Sequence, residues 1–250
     1  MANIFKDKIV FVAGGGHFGT EAIKSLRASS AKVILVDTIS NCKASKFADE
    51  KVNGCDIDEA FRIESNSVKF FLCDAVELLN KIIRRATPDH IVPAIPGHLA
   101  GEVVKRWLEE EGFKLKGDSE TAIEVLNEIP KSLVMSYNKE TGRIVTSYMP
   151  KGRLCNLPCD QPIDFCRTTG RKKAGPMYSI LEFATWKKAE ISKIIHSYKL
   201  QRDVGCFKGE DIVSFLSELK NIKTPYSLAI GTSCSCHGVL NLFLVNEYED

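Results

Sequence analysis

The chain is 250 residues long, with 34 Lys and Arg against 32 Asp and Glu and a formal net charge of +2. A hydrophobic share of 44% and a charged share of 26% are those of an ordinary soluble globular protein, large enough for one big core or two modest ones. Near-neutral charge argues against a general affinity for nucleic acid or anionic membranes, and no apolar run approaches the roughly 20 residues that span a bilayer. The amino terminus, MANIFKDKIVF, reads as the start of a first strand rather than an export signal, so the expected location is the cytoplasm.

The apolar run Ile9 to Ala13 leads into Gly14-Gly15-Gly16-His17-Phe18-Gly19, then a helical stretch, then a second apolar run ending at Asp37. This is G-x-G-x-x-G between a strand and a helix, with an acid closing the next strand. Gly14 suits the tight turn, Gly16 the approach of a pyrophosphate, and Gly19 close helix–strand packing. The helix start, with His17 and Phe18, offers N–H groups and a positive dipole end to phosphate. Asp37 is placed to accept from a ribose. It would repel a 2′-phosphate, so NAD is favoured over NADP, although Lys43 and Lys46 soften that exclusion.

Strands are expected over residues 68–73 and 90–95, and helices over 76–86 and 99–112, the last closed by Gly112. Such alternation implies an α/β fold with a doubly wound parallel sheet of Rossmann type. His98 follows the 90–95 strand at the carboxyl edge of that sheet. It is the candidate catalytic acid or base, the alternative being a helix-start histidine bonded to backbone.

The residues G-G-G-H-F-G-T at 14–20, Val36-Asp37, L-C-D-A-V-E-L-L at 72–79 and D-H-I-V-P-A-I at 89–95 together resemble the TrkA-N type of NAD-binding domain. The nucleotide domains of saccharopine dehydrogenases and precorrin-2 dehydrogenases are similar. The resemblance spans about residues 6 to 115. It implies a Rossmann-type fold and an NAD(P) ligand, and leaves the reaction open.

Beyond residue 118 the pattern changes to a smaller α+β domain, giving expected domains of 1–118 and 119–250, with the boundary inside 112–131. A helix over 119–129 precedes a hairpin turning at 139–142. The segment 178–183 reads as a strand, 187–199 and 209–219 as helices, and 226–230 and 239–245 as strands.

Five of the nine cysteines are grouped: Cys155, Cys159 and Cys166 in one loop, Cys234 and Cys236 in a later turn. Without an export signal they are not read as disulfides. Three thiolates from the loop and one from the turn would complete a four-coordinate metal site, with the other turn cysteine or His237 beside it. An iron–sulfur cluster of [4Fe–4S] type is the first expectation, since the spacing is irregular and Pro158 and Pro162 would hold the loop open. Zinc is the alternative. Without a metal, the thiols are structural or a redox pair such as Cys155 with Cys159. The loop is rich in cations, among which Arg167, Arg171 and Lys172 could hold an anionic substrate. They could equally be plain solvated surface, and sparse aromatics disfavour nucleic acid.

The expected function is an NAD(P)-dependent oxidoreductase with a cysteine-ligated metal, acting on a small, anionic substrate. A redox partner protein and a homo-oligomer are compatible with it. The competing expectation is a nucleotide- and redox-sensing regulatory module with a structural metal.

Overall fold

A computed structural model describes residues 5–153, 155, 159–200 and 204–247. In chain order the elements are β1 (Ile9–Ala13), α1 (His17–Arg27), β2 (Lys32–Asp37), β3 (Glu50–Asn53), α2 (Ile57–Phe61), β4 (Ser67–Leu72), α3 (Ala75–Ile83) and β5 (His90–Pro93). Then come α4 (Leu99–Glu110), β6 (Phe113–Gly117), α5 (Ser119–Glu128), β7 (Val134–Asn138), β8 (Arg143–Ser147) and α6 (Met177–Thr185). The last are β9 (Ile191–His196), β10 (Tyr198–Leu200), β11 (Val204–Lys208), α7 (Gly209–Glu218), β12 (Tyr226–Ser233) and β13 (His237–Glu247). No helix among the described residues is long and apolar enough to cross a membrane.

The chain divides into two compact units, residues 1–99 with 199–214 and residues 100–198 with 215–250. The first holds a sheet of order β10-β11-β5-β1-β2-β4-β3. Its five strands from β5 to β3 run parallel, and β11 joins β5 antiparallel. The β1, β2 and β4 strands are nearly continuous apolar runs, as strands covered on both faces must be, and Val10 to Ala13 and Val33 to Val36 are buried.

In the second unit the sheet order is β7-β8-β13-β12-β9. The long β13 organises it. Antiparallel β12 lies on one edge, while β8 pairs its first half and β6 its second on the other. Leu181 and Ala184 of α6, Ala122 and Val125 of α5, and Ala229, Leu240 and Leu242 of the sheet share one apolar core.

The fold is thus mixed α/β with two mixed sheets, and the expected doubly wound, purely parallel sheet is corrected. Antiparallel β11 closes the first sheet's β5 side, and the second is mostly antiparallel. The seam falls at residue 99/100, where the sequence placed it at 118/119. Phe113 to Gly117 forms β6 and pairs with β13, so it belongs to the second sheet.

Two further elements exchange their types. The 178–183 segment lies in helix α6, whose buried Met177, Leu181, Ala184 and Thr185 recur at helical spacing after Pro176. The 187–199 segment holds β9, where Ile191, Ile194 and Ile195 favour a strand and pair in parallel with β12.

One buried charge is built into the first sheet. The Lys69 side chain on β4 is 2% exposed, and its Nζ lies 2.9 Å from Glu50 on β3 and 3.0 Å from Glu59 on α2. It also donates to the Arg62 carbonyl at 2.9 Å. Burial opposes the charge, but the hydrogen bonds to Glu50 and Glu59 outweigh it and raise the Lys69 pKa above 10.5. Hydrogen bonds from Lys69 and Arg62 hold the Glu59 carboxyl below 4.5.

Each shift implies a limit. A lowered carboxylate stabilises above its ordinary pKa and ceases to as pH falls through its folded value. A raised ammonium stabilises below its ordinary pKa and ceases to as pH rises through its folded value. The stability that this cluster contributes, read as the difference between wild type and Lys69→Met in urea, should therefore be level between about pH 5 and pH 10 and shrink outside that window. Lys69→Met leaves carboxylates that reach water and should cost only about 1–2 kcal/mol. Glu50→Ala with Glu59→Ala strands a buried ammonium and should cost about 3–5 kcal/mol. A larger loss in Lys69→Met would contradict this reading.

Candidate functional site

The glycine turn sits at the carboxyl ends of β1 and β2. Gly14 has φ +98°, and a methyl group there would lie 2.6 Å from the Ala94 carbonyl oxygen. Its N–H donates to the Val36 carbonyl at 2.8 Å. Asp37 then secures the loop: its carboxylate accepts from Gly15 N at 2.6 Å and from Ile39 N at 2.8 Å. At Gly19 a methyl group would fall 1.8 Å from the Gly14 carbonyl oxygen, so only glycine lets α1 pack this close. Gly16 differs, because nothing lies within 4 Å of the space its Cβ would take.

That space belongs to a pocket of about 450 Å³. Gly14, Gly16 and Asp37 line it with Ile39, Cys73 and the stretch 94–96. α1 begins beside it with Gly16 at its N-cap, no side-chain cap and no acidic residue in its first turn. Its first N–H groups and the positive end of its dipole are left for a ligand. Ile39 at the pocket and Phe18 on α1 are large apolar side chains, 58% and 53% exposed. His17 stacks edge-on against Phe18 with centroids 5.3 Å apart, outside the pocket lining. Both Asp37 oxygens keep a further lone pair for a ribose hydroxyl.

His98 is buried at 3% exposure just before α4, whereas the lining on that connection ends at Pro96. Sequence reasoning missed Cys73, whose thiol meets Cys55. Burial first and that contact second push its pKa up. Both are half-buried.

In the second unit the turn cysteines and the basic loop meet through a residue not singled out from the sequence. Lys173 is 5% exposed, and its Nζ lies 3.0 Å from Cys236 Sγ. The ammonium also donates to the Pro162 carbonyl and stands 5.5 Å from the centre of the Tyr148 ring. Ser235 Oγ is 3.6 Å from the same sulfur and donates to the Gln161 carbonyl at 2.8 Å. The Cys234 thiol contacts Cys236 too. That contact, with Lys173 and Ser235, lowers the Cys236 pKa despite burial, and raises that of Cys234 together with burial. Cys234 Sγ accepts the Cys236 and His237 N–H groups at 3.3 Å each and lies 3.7 Å from His237 Nδ1.

The remaining expected ligands have other surroundings. Cys166 Sγ lies 3.9 Å from Met149 Sδ, and Cys159 Sγ accepts Gln161 N–H at 3.4 Å. Cys155 is half-buried, and Pro158 lies outside the described residues. Among the described residues no group of three or more His, Cys, Asp or Glu is arranged to hold a metal ion. A cation already stands beside the most thiolate-like sulfur. The described residues assemble no site for an iron–sulfur cluster or a zinc ion. Arg167 is paired with Asp160, which raises its pKa. Arg171 and Lys172 are exposed.

Two family models match the chain. AF_1314_N, the N-terminal domain of an uncharacterized protein, covers residues 9–99, and AF_1314_C, its C-terminal domain, covers 100–246. The chain belongs to this family, and the models divide it at residue 99/100, with residues 199–214 of the first structural unit falling in the C-terminal model. A protein of Archaeoglobus fulgidus described as "Uncharacterized protein" is 27% identical over 229 residues, covering 92% of this chain and 96% of its own. No solved structure matches. These matches overturn the resemblance to TrkA-N, saccharopine dehydrogenase and precorrin-2 dehydrogenase domains: the matching models describe a different family and carry no nucleotide-binding assignment.

The glycines make separable demands. Gly19→Ala should cost about 1–3 kcal/mol or more in urea denaturation, through a clash with backbone. Gly16→Ala should stay within about 1 kcal/mol of wild type, since it enters open space at an N-cap. Equal losses at the two positions would contradict the open pocket.

Proposed function

We propose that the first unit binds a dinucleotide of NAD(P) type, with NAD preferred, and that the protein is an oxidoreductase acting on a small substrate. The observation that carries this is the pocket: open at Gly16, facing the uncapped start of α1, and bounded by the Asp37 carboxylate. A volume of about 450 Å³ suits part of a dinucleotide. The pyrophosphate would lie against the backbone at Gly14 to Gly16, where its charge meets N–H groups and the helix dipole. The adenosine ribose would reach the outer lone pairs of Asp37, and the adenine would cover part of exposed Ile39. In this reading Asp37 both ties the loop and rejects a 2′-phosphate.

A nucleotide-sensing module is the second reading, favoured by one observation. Among the described residues no His, Lys, Arg or Tyr side chain lines the pocket. Substrate turnover separates the two readings.

Binding is tested by calorimetry and melting. NAD at 100 times its Kd should stabilise the native protein by about 2.7 kcal/mol. Gly16→Val should keep the fold and lose the effect. Asp37→Asn should narrow the preference for NAD over NADP by about tenfold, the change of about 1.4 kcal/mol expected for one weakened charge contact. Absence of binding by NAD, NADP and other adenine nucleotides would refute the proposal.

A further inference from the structure

A buried ammonium needs a negative partner. Lys173 is 5% exposed, and its nearest polar atoms are the Pro162 carbonyl oxygen and the Cys236 sulfur. A carbonyl contributes only a dipole. The sulfur at 3.0 Å is the group able to carry a full countercharge. Ser235 Oγ lies 3.6 Å from the same sulfur, and the Cys234 thiol touches it. Cys234 and Cys236 occupy the turn between β12 and β13, closed by the Cys234 N–H to His237 carbonyl bond of 3.0 Å. Two residues span at most about 7 Å of chain, and a turn shortens that to the range a disulfide bridges.

We propose that Cys236 and Cys234 form a redox-active dithiol, with Cys236 as the nucleophile, Lys173 as its counterion and a small hydroperoxide as the oxidant. The size of the oxidant follows from access. Cys236 is 4% and Cys234 8% exposed, which excludes a protein disulfide and favours a molecule near the size of water. The Cys236 thiolate attacks one oxygen of the peroxide. The S–O bond forms as the O–O bond breaks, sulfur gives up two electrons, and the leaving alkoxide or hydroxide takes a proton to become alcohol or water. The Cys234 thiol then attacks the sulfenic sulfur. Its proton leaves with the hydroxyl as water, and the two sulfurs join. This site lies in the second unit and is independent of the nucleotide proposal.

The test treats fully reduced protein with hydrogen peroxide, blocks remaining thiols with N-ethylmaleimide and maps the peptides by mass. The turn peptide should lose two hydrogens and carry no maleimide. Cys234→Ser should instead gain one oxygen at Cys236, which dimedone captures. Lys173→Met should slow the oxidation about tenfold, the loss of one charge-assisted contact, and Lys173→Arg should recover most of the rate. Maleimide on Cys236 while other cysteines are oxidised would overturn the proposal, as would a wild-type rate in folded Lys173→Met. Should Lys173→Met fail to fold by circular dichroism, the maps of wild type and Cys234→Ser decide alone.

Discussion

The Asp37 carboxylate at the end of β2 holds the turn after β1 in place, and the candidate pocket depends on that bond pair. Gly15 and Ile39 donate to its two oxygens, while Gly14 donates to the Val36 carbonyl one residue earlier. The first sheet's parallel register, with Ala13 opposite Val36, brings the acid level with the glycines. α1 can then start close behind, because Gly19 lets it rest on the Gly14 carbonyl. The resulting space is lined by the glycine backbone, Asp37, Ile39, Cys73 and Asp74, and nothing lies within 4 Å of the position a Gly16 Cβ would take.

The second unit has a different constraint. Its sheet is built around β13, and the turn entering that strand delivers Cys234, Ser235 and Cys236 to a loop whose Lys173 points inward. Lys173, Tyr148 and Ser235 bind one another's neighbours through Pro162, Gly175 and Gln161 carbonyls, so the loop is fixed where the sulfur needs a cation.

The glycine turn was legible because its demands are local: a positive φ at Gly14, a close approach at Gly19 and a strand on either side. The loop-tying role of Asp37 was not, since a ribose acceptor and a backbone acceptor look the same in sequence. β3 was missed because EKVN is short and mostly exposed, and β6 because FKLKG buries only Leu115. α6 and β9 were exchanged because each is a short apolar run, and a short run leaves its period ambiguous. The grouping of five cysteines was visible, but its chemistry was not. Nothing in Arg171-Lys172-Lys173 says which cation turns inward, and its partner is 63 residues away.

The central claim is that a dinucleotide lies on the glycine turn. An amide-resolved NMR titration of the intact protein with NAD tests it most directly. The account predicts that the N–H signals of Gly15, Gly16, His17 and Phe18 shift first and furthest, with Ile39 following as the nucleoside end settles near Asp37. Shifts that cluster away from these residues, or none at saturating NAD, would contradict it.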